Sequence, residues 1–251
     1  MTARLLIEYD GARFAGWARQ PGERTVQGEL ERALAVVRRA PTTLTVAGRT
    51  DRGVHAWAQV ASHPGSCADA RRLNAVLPAD VAVVASGPAP DGFDARRHAR
   101  SRTYCYRLLV RPSRPAVDVG RVLHWPRHLD RAALEVCARA LPGTHDFTAF
   151  TPTETTHVRF ERDVVDARWV EHGDELRFWI EADSFMRRMN RILVGTMIEA
   201  AAGRRDPRDF GRLLEGAPRT AAGVTAPAHG LALAAVRYDR APASPTTPSA
   251  S

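Results

Sequence analysis

The sequence predicts an α+β fold of two lobes, with a mixed, mostly antiparallel sheet, flanking helices and a central cleft. Three observations carry this prediction. Segments of strand and helix periodicity alternate in mixed order, with hairpin-like neighbours in each half. The second half loosely repeats the order of the first, without a residue-level internal repeat. The 251 residues, 44% of them hydrophobic, suffice for one large domain or two small ones, each with its own core. The expected division is an N-terminal α+β lobe over residues 1–100 and a C-terminal α+β lobe over 101–240 that completes the cleft. A tail over 241–251, rich in Pro, Ser, Thr and Ala, is predicted to be disordered.

Residues 4–10 alternate Leu5, Ile7 and Tyr9 against Leu6 and Glu8, as a half-buried strand does. Thr25 caps a helix whose apolar positions Val26, Leu30, Leu34 and Val37 share one face, and Pro41 stops it. Residues 43–47 and 54–62 read as two strands joined by a polar turn through Gly48, Asp51 and Gly53. A short helix opens at Asp69 and ends before Pro78, a strand follows over 81–85, and Gly87 to Gly92 form a turn-rich connection. The second half opens with a strand over 103–110 and a helix over 130–141. Strands over 164–170 and 175–182 come next, the latter alternating Leu176, Phe178 and Ile180 with Arg177, Trp179 and Glu181. Ser184 is expected to cap a longer helix carrying Phe185, Met189, Ile192, Thr196 and Met197 and ending at Gly203. Asp206-Pro207 opens a last helix closed by Gly216, and residues 231–238 form the closing strand.

Composition narrows the chemistry. Lys and Arg total 36 against 28 acids, giving a net charge of +8, and every one of the 36 is arginine. Mechanisms that need a lysine amine, such as a Walker-type phosphate loop or a Schiff-base cofactor site, are excluded. The arginine bias has two readings: base composition of the coding sequence, or binding to a polyanion through bidentate guanidinium–phosphate pairs. Charge alone does not choose between them. Cys67, Cys105 and Cys137 are odd in number, widely spaced and without a CxxC pair, which argues against a disulfide framework or structural zinc and for a reducing compartment. The nine histidines are not read as a metal-ligand set, so no metal site is expected. Early charges at the N-terminus and the lack of a long apolar run predict a soluble, cytoplasmic protein with no membrane contact.

The most unusual run is Val46-Ala47-Gly48-Arg49-Thr50-Asp51-Arg52-Gly53-Val54-His55-Ala56. Strand residues give way to a tight polar stretch between two glycines, which let the backbone bend sharply and approach a ligand closely. Its ordinary reading is a hairpin turn, where Asp and Gly are expected. Beside that reading stands a second: the run GRTDxGVHA resembles the catalytic loop of the tRNA pseudouridine synthase A (TruA) family. The resemblance continues in order through Tyr9-Asp10-Gly11, Phe14, Gly16-Trp17, Gln20-Pro21 and Thr25-Val26-Gln27. Residues 74–78 (NAVLP), Phe93 to Arg96, Arg102 to Tyr106, His145 to Thr148, 185–196 and Ala226 to Leu231 extend it, so that residues 4–239 are covered.

The resemblance implies a tRNA pseudouridine synthase. Such an enzyme isomerises uridine to pseudouridine in the anticodon stem-loop (positions 38–40), needs no cofactor or metal, and acts as a homodimer with one tRNA spanning both subunits. Asp51 is then the catalytic carboxylate, either attacking C1′ or removing a ribose proton to give a glycal; both roles require the ionised form. Burial opposes that form, so a nearby cation should offset it. Arg191, alone an ordinary arginine in an Arg-rich chain, takes that place by resemblance, four residues before a Gly195 that permits close packing. The preceding position departs from the family: Asn190 stands where a small apolar residue is usual, which bears on local packing.

Tyr104 matches the tyrosine that packs on the target uracil and offers a hydroxyl for proton transfer. On spacing alone it is an inward-facing strand residue in register with Tyr106 and Leu108. Leu231 matches an apolar pocket wall, and Arg49 the arginine that helps hold the target nucleotide out of its stack. Arg13, Arg19, Arg52, Arg71, Arg72, Arg187 and Arg188 are candidate phosphate contacts. His55 is expected to be structural or RNA-orienting rather than an acid or base. Two rival readings keep the scaffold and change its purpose. One is a paralogue supplying pseudouridine for a specialised nucleoside product; the other is a non-catalytic RNA-binding protein.

Overall fold

The computed structural model describes residues 1–238, so the tail expected at 241–251 lies outside the described residues. In chain order the strands are β1 (Thr2–Tyr9), β2 (Thr45–Val46), β3 (His55–Pro64), β4 (Val81–Ala89), β5 (Ala99–Val110), β6 (Leu123–Trp125), β7 (Gly143–Asp146), β8 (Glu161–His172), β9 (Glu175–Ala182) and β10 (Leu231–Tyr238). The α-helices are α1 (Val26–Arg38), α2 (Ala70–Val76), α3 (Arg131–Arg139) and α4 (Met189–Ala201).

Local chemistry accounts for the helices. Thr25 Oγ1 accepts from the Gly28 N–H at the start of α1, whose Val26, Leu30, Ala33 and Leu34 are buried. The helix ends before Pro41, through Arg39 in the left-handed region at φ 56°. Asp69 and Asp130 cap α2 and α3 in the same way. Helix α4 is different: it is buried nearly all round and packs against α3, as its apolar run dictates.

All ten strands join one sheet, ordered β4-β1-β3-β10-β5-β9-β8-β7, with β2 paired to β3 and β6 to β5. Pairings are antiparallel except β10 with β3 and β5 with β6. The sheet is therefore mixed and mostly antiparallel, as the periodicity predicts. The closing strand β10 does not lie at an edge. It inserts between β3 and β5, pairing Ala232 with His55 on one side and Leu233 with Tyr104 on the other. Strand β10, the last among the described residues, thus joins the early strands to the later ones at the level of the cleft.

Several elements differ from expectation. Ser184 caps no helix: residues 183–188 are non-helical and α4 starts at Met189, after Arg188 in the left-handed region at φ 60°. Strand β4 runs on through the expected turn at Gly87-Pro88. It is an edge strand, where a residue without an N–H breaks no ladder. The segment Pro207–Leu214 is a 3-10 rather than an α-helix, although Asp206 caps it as expected. Strands β6 and β7 were not predicted; both are short and carry no alternation long enough to read. Strand β5 begins at Ala99, so the expected lobe boundary after residue 100 falls inside a strand.

All three cysteines are free thiols, Cys105 and Cys137 buried and Cys67 exposed. Among the described residues no helix is long and apolar enough to cross a membrane.

Candidate active site

Residues 47–54, between β2 and β3, carry Asp51 and are anchored at nearly every turn. The Gln59 amide donates to Gly48 O at 2.7 Å, and Trp17 N–H donates to Thr50 O at 3.1 Å. The Thr50 hydroxyl and the Tyr9 phenol share a hydrogen bond of 2.8 Å beneath the loop. Burial pushes the Tyr9 phenol up to about 12, against the opposing hydrogen bonds from Thr50 and Gln59, so it stays neutral. Gly53, at φ 80°, makes the turn that lets Val54 N–H return to Asp51 O at 3.2 Å. The run is thus a bent loop pinned from below, with Asp51 at its tip and its carboxylate 31% exposed.

Helix α4 brings Arg191 to that tip. Its Nη1 lies 3.5 Å from Asp51 Oδ2, and its side chain is 17% exposed. The guanidinium is steered from the side: Nε donates to Ala226 O at 2.8 Å, while Ala226 N–H donates back to Arg191 O at 2.9 Å. Residues 223–226 form a strap along the helix, held by Gly223 N–H to Thr196 Oγ1 and Val224 N–H to Glu199 Oε1, both at 2.9 Å. Gly195 makes the strap possible. A Cβ there would sit 1.8 Å from Val224 O.

A cleft of about 750 Å³ opens over this pair. Tyr104 and Leu231 line it, 7% and 6% exposed, on adjacent strands β5 and β10. The Phe185 ring meets Tyr104 edge-on, 5.0 Å between centroids. Phe185 reaches that position because residues 183–188 form a loop and not the predicted first turn of the helix. Burial above all raises the Tyr104 phenol above its ordinary value, with the Tyr9 and Asp51 sites adding to the effect. The group is a neutral donor at physiological pH.

Arginines ring the cleft. Arg49, Arg52, Arg187 and Arg188 line it and are exposed, whereas Arg13, Arg19, Arg71 and Arg72 lie elsewhere on the surface. Arg52 pairs with Glu23 at 2.8 Å and Arg19 with Glu31 at 3.4 Å. His55 faces a second, smaller cleft of about 330 Å³. Its Nδ1 accepts from the Gly11 N–H at 3.0 Å, and its Nε2 lies 3.1 Å from both Gly120 O and His229 O. It ties β3 to three neighbouring loops and does not face Asp51. Among the described residues no group of three or more His, Cys, Asp or Glu could hold a metal ion.

One cleft residue escaped the sequence reading. Arg102 is 9% exposed and donates only to main-chain carbonyls, and burial pushes its guanidinium down from the ordinary value. Its signal was parity: it precedes Tyr104 by two along β5 and so shares its face. Asn190, noticed for its type, is 5% exposed with Oδ1 buried and without a hydrogen-bond partner.

Comparisons of the sequence with a family model and with curated proteins point to one family. A family model described as tRNA pseudouridine synthase matches residues 137–239. The tRNA pseudouridine synthase A of Frankia casuarinae is 45% identical, over 94% of this chain and 88% of its own. That of Syntrophotalea carbinolica is 40% identical, over 94% and 96%. That of Bacillus subtilis is 39% identical, over 95% of this chain and 100% of its own.

Proposed function

The chain belongs to the tRNA pseudouridine synthase A family, an isomerase acting on tRNA, and from that premise we propose that it modifies uridines in the anticodon arm with Asp51 as the catalytic carboxylate. The single observation that carries the site assignment is the pairing of Asp51 with Arg191 at 3.5 Å inside the cleft.

The reaction breaks the N1–C1′ bond, turns the uracil in place and forms C5–C1′. The electron pair of the broken bond leaves with N1, C5 supplies the new one, and the C5 proton is lost as N1 gains one. Atoms and electrons balance within the nucleoside, so the chemistry calls for no redox cofactor. It does call for an anionic oxygen beside C1′, which Asp51 supplies whether it attacks that carbon or takes a ribose proton. Arg191 sets a cation beside the carboxylate, 3.5 Å from Oδ2. Tyr104 gives the uracil a flat apolar face with a neutral phenol at its edge, and Leu231 closes the other side.

The target base lies in an RNA stem-loop and has to leave its stack to reach Asp51. On this reading Arg49, exposed on the catalytic loop, occupies the position it vacates. The remaining rim arginines supply sequence-independent phosphate contacts. On this reading the protein works in the cytoplasm, where tRNA is, and as a homodimer whose two subunits share one tRNA.

The test is direct. Unmodified tRNA is incubated with the protein, treated with carbodiimide and read by reverse transcription. New stops in the anticodon arm support the assignment; stops elsewhere in the tRNA, or product only from free nucleotide, overturn the anticodon-arm reading. Asp51→Asn is expected to abolish turnover while tRNA affinity changes by less than about threefold, since phosphate contacts dominate binding. Loss of affinity in step with activity would remove the chemical role.

A further inference from the structure

A guanidinium carries five N–H groups, and Arg102 commits all five to backbone carbonyls. Nε and Nη2 donate to Ala47 O at 3.1 and 2.8 Å, and Nη2 also donates to Arg96 O at 2.9 Å. Nη1 donates to Ala99 O at 3.2 Å and to Asp183 O at 2.7 Å. None of the five goes to a carboxylate. Ala47 is the stem of the Asp51 loop. Asp183 opens the loop that leads through Phe185 into α4 and Arg191. Arg96 lies in the connection that enters β5, and Ala99 is the first residue of that strand.

We propose that Arg102 is a positioning residue that sets the separation of the Asp51 loop from the Arg191 segment, a role that requires the planar fork of a guanidinium. The proposal rests on the assignment of Asp51 and Arg191 made above. Ala47 O and Asp183 O are held by different nitrogens of one rigid group, so the distance between the two loop stems follows from covalent geometry. The loop also lies directly on this side chain. A Cβ on Gly48 would be 4.0 Å from Arg102 Cγ and 3.6 Å from Tyr104 Oη.

The charge makes the arrangement informative. Burying a cation without a counter-ion is costly, and a neutral amide could tie one or two of these carbonyls without that cost. Five convergent donors in one plane are what only arginine offers. Lysine has three donors on a flexible stem and cannot span four carbonyls. With its donors all committed inward, Arg102 has none left for a phosphate, unlike the exposed arginines at the rim.

The experiment compares wild type, Arg102→Lys and Arg102→Ala on full-length tRNA, measuring the single-turnover rate at saturating enzyme, the tRNA Kd, its dependence on salt, and thermal unfolding. Arg102→Lys is expected to fold, to lose about 100-fold in rate, as an ångström-scale misplacement does, and to keep both Kd and salt slope. Millimolar methylguanidinium is expected to restore part of the rate to Arg102→Ala and none to Asp51→Asn. A wild-type rate in Arg102→Lys would overturn the proposal. So would a shallower salt slope with weakened binding, which marks a phosphate contact, or failure of both variants to fold, which marks a residue the fold itself requires. Absence of pseudouridine with the wild-type protein would instead count against the function proposed above.

Discussion

Arg191 meets Asp51 with one nitrogen only: Nη1 stands 3.5 Å from Oδ2 while Nε is committed to Ala226 O at 2.8 Å. A two-pronged arginine–carboxylate pair is shorter and occupies both oxygens. Here the contact is long and single, and it engages Oδ2 through Nη1 alone. With Nε given to the Ala226 carbonyl, the side-on fork through Nε is not open to Asp51.

Gly195→Ala tests that restraint. The added methyl would meet Val224 O at 1.8 Å, so the strap has to lift and take Ala226 O with it. The expected result is a fall of about 100-fold in single-turnover rate with tRNA affinity retained, together with a loss of about 1–3 kcal/mol in stability from overpacking. Rate assays and urea unfolding on the same preparation check both. An unchanged rate would show that Arg191 is held by Asp51 alone.

Asn190→Val is expected to stabilise the protein. The buried Oδ1 has no hydrogen-bond partner, and such a group costs about 1–3 kcal/mol. Valine fills nearly the same space without that cost, so the urea midpoint should rise at constant slope. A lower midpoint would mean that the amide is engaged.

Glu175 gives a pH-dependent signature away from the cleft. Burial alone would raise its carboxyl, but Arg107 donates from Nε at 2.7 Å and Nη2 at 2.9 Å, and Arg177 from Nε at 2.7 Å, which together hold it at about 2. The folded value lies below the unfolded one. The resulting stability is complete above the unfolded value of about 4.3 and is lost as pH falls from there through about 2. Glu175→Gln should therefore lower unfolding free energy by about 2 kcal/mol at neutral pH, and the gap to wild type should close in acid. Denaturant curves across that range measure it; a constant gap would mean that the contribution is packing and not charge.

How much of this was readable depended on the range of the signal. Alternation in Leu176, Phe178 and Ile180 delimits β9 correctly, and the same holds for β10 at Leu231–Tyr238, because strand burial has a period of two within the segment itself. Thr25 and Asp206 were legible as caps, and Asp69 and Asp130 as helix starts, for the same local reason. Ser184 misled because a capping residue before an apolar run resembles a helix start. What decides that stretch is the path the chain takes from β9 to α4, with Phe185 against Tyr104 and Asp183 O on Arg102.

By itself the sequence determined the α+β class, most element positions and the family, since all of these follow from patterns of residue type along the chain. Only the tertiary structure decided that Asp51 and Arg191, 140 residues apart, share one cleft, that β10 closes the sheet between β3 and β5, and that Arg102 turns inward to four carbonyls while His55 faces away. Those relations depend on strand order and on where backbone carbonyls converge. Neither leaves a trace in local periodicity, because a carbonyl is present at every residue and becomes a partner only through the fold.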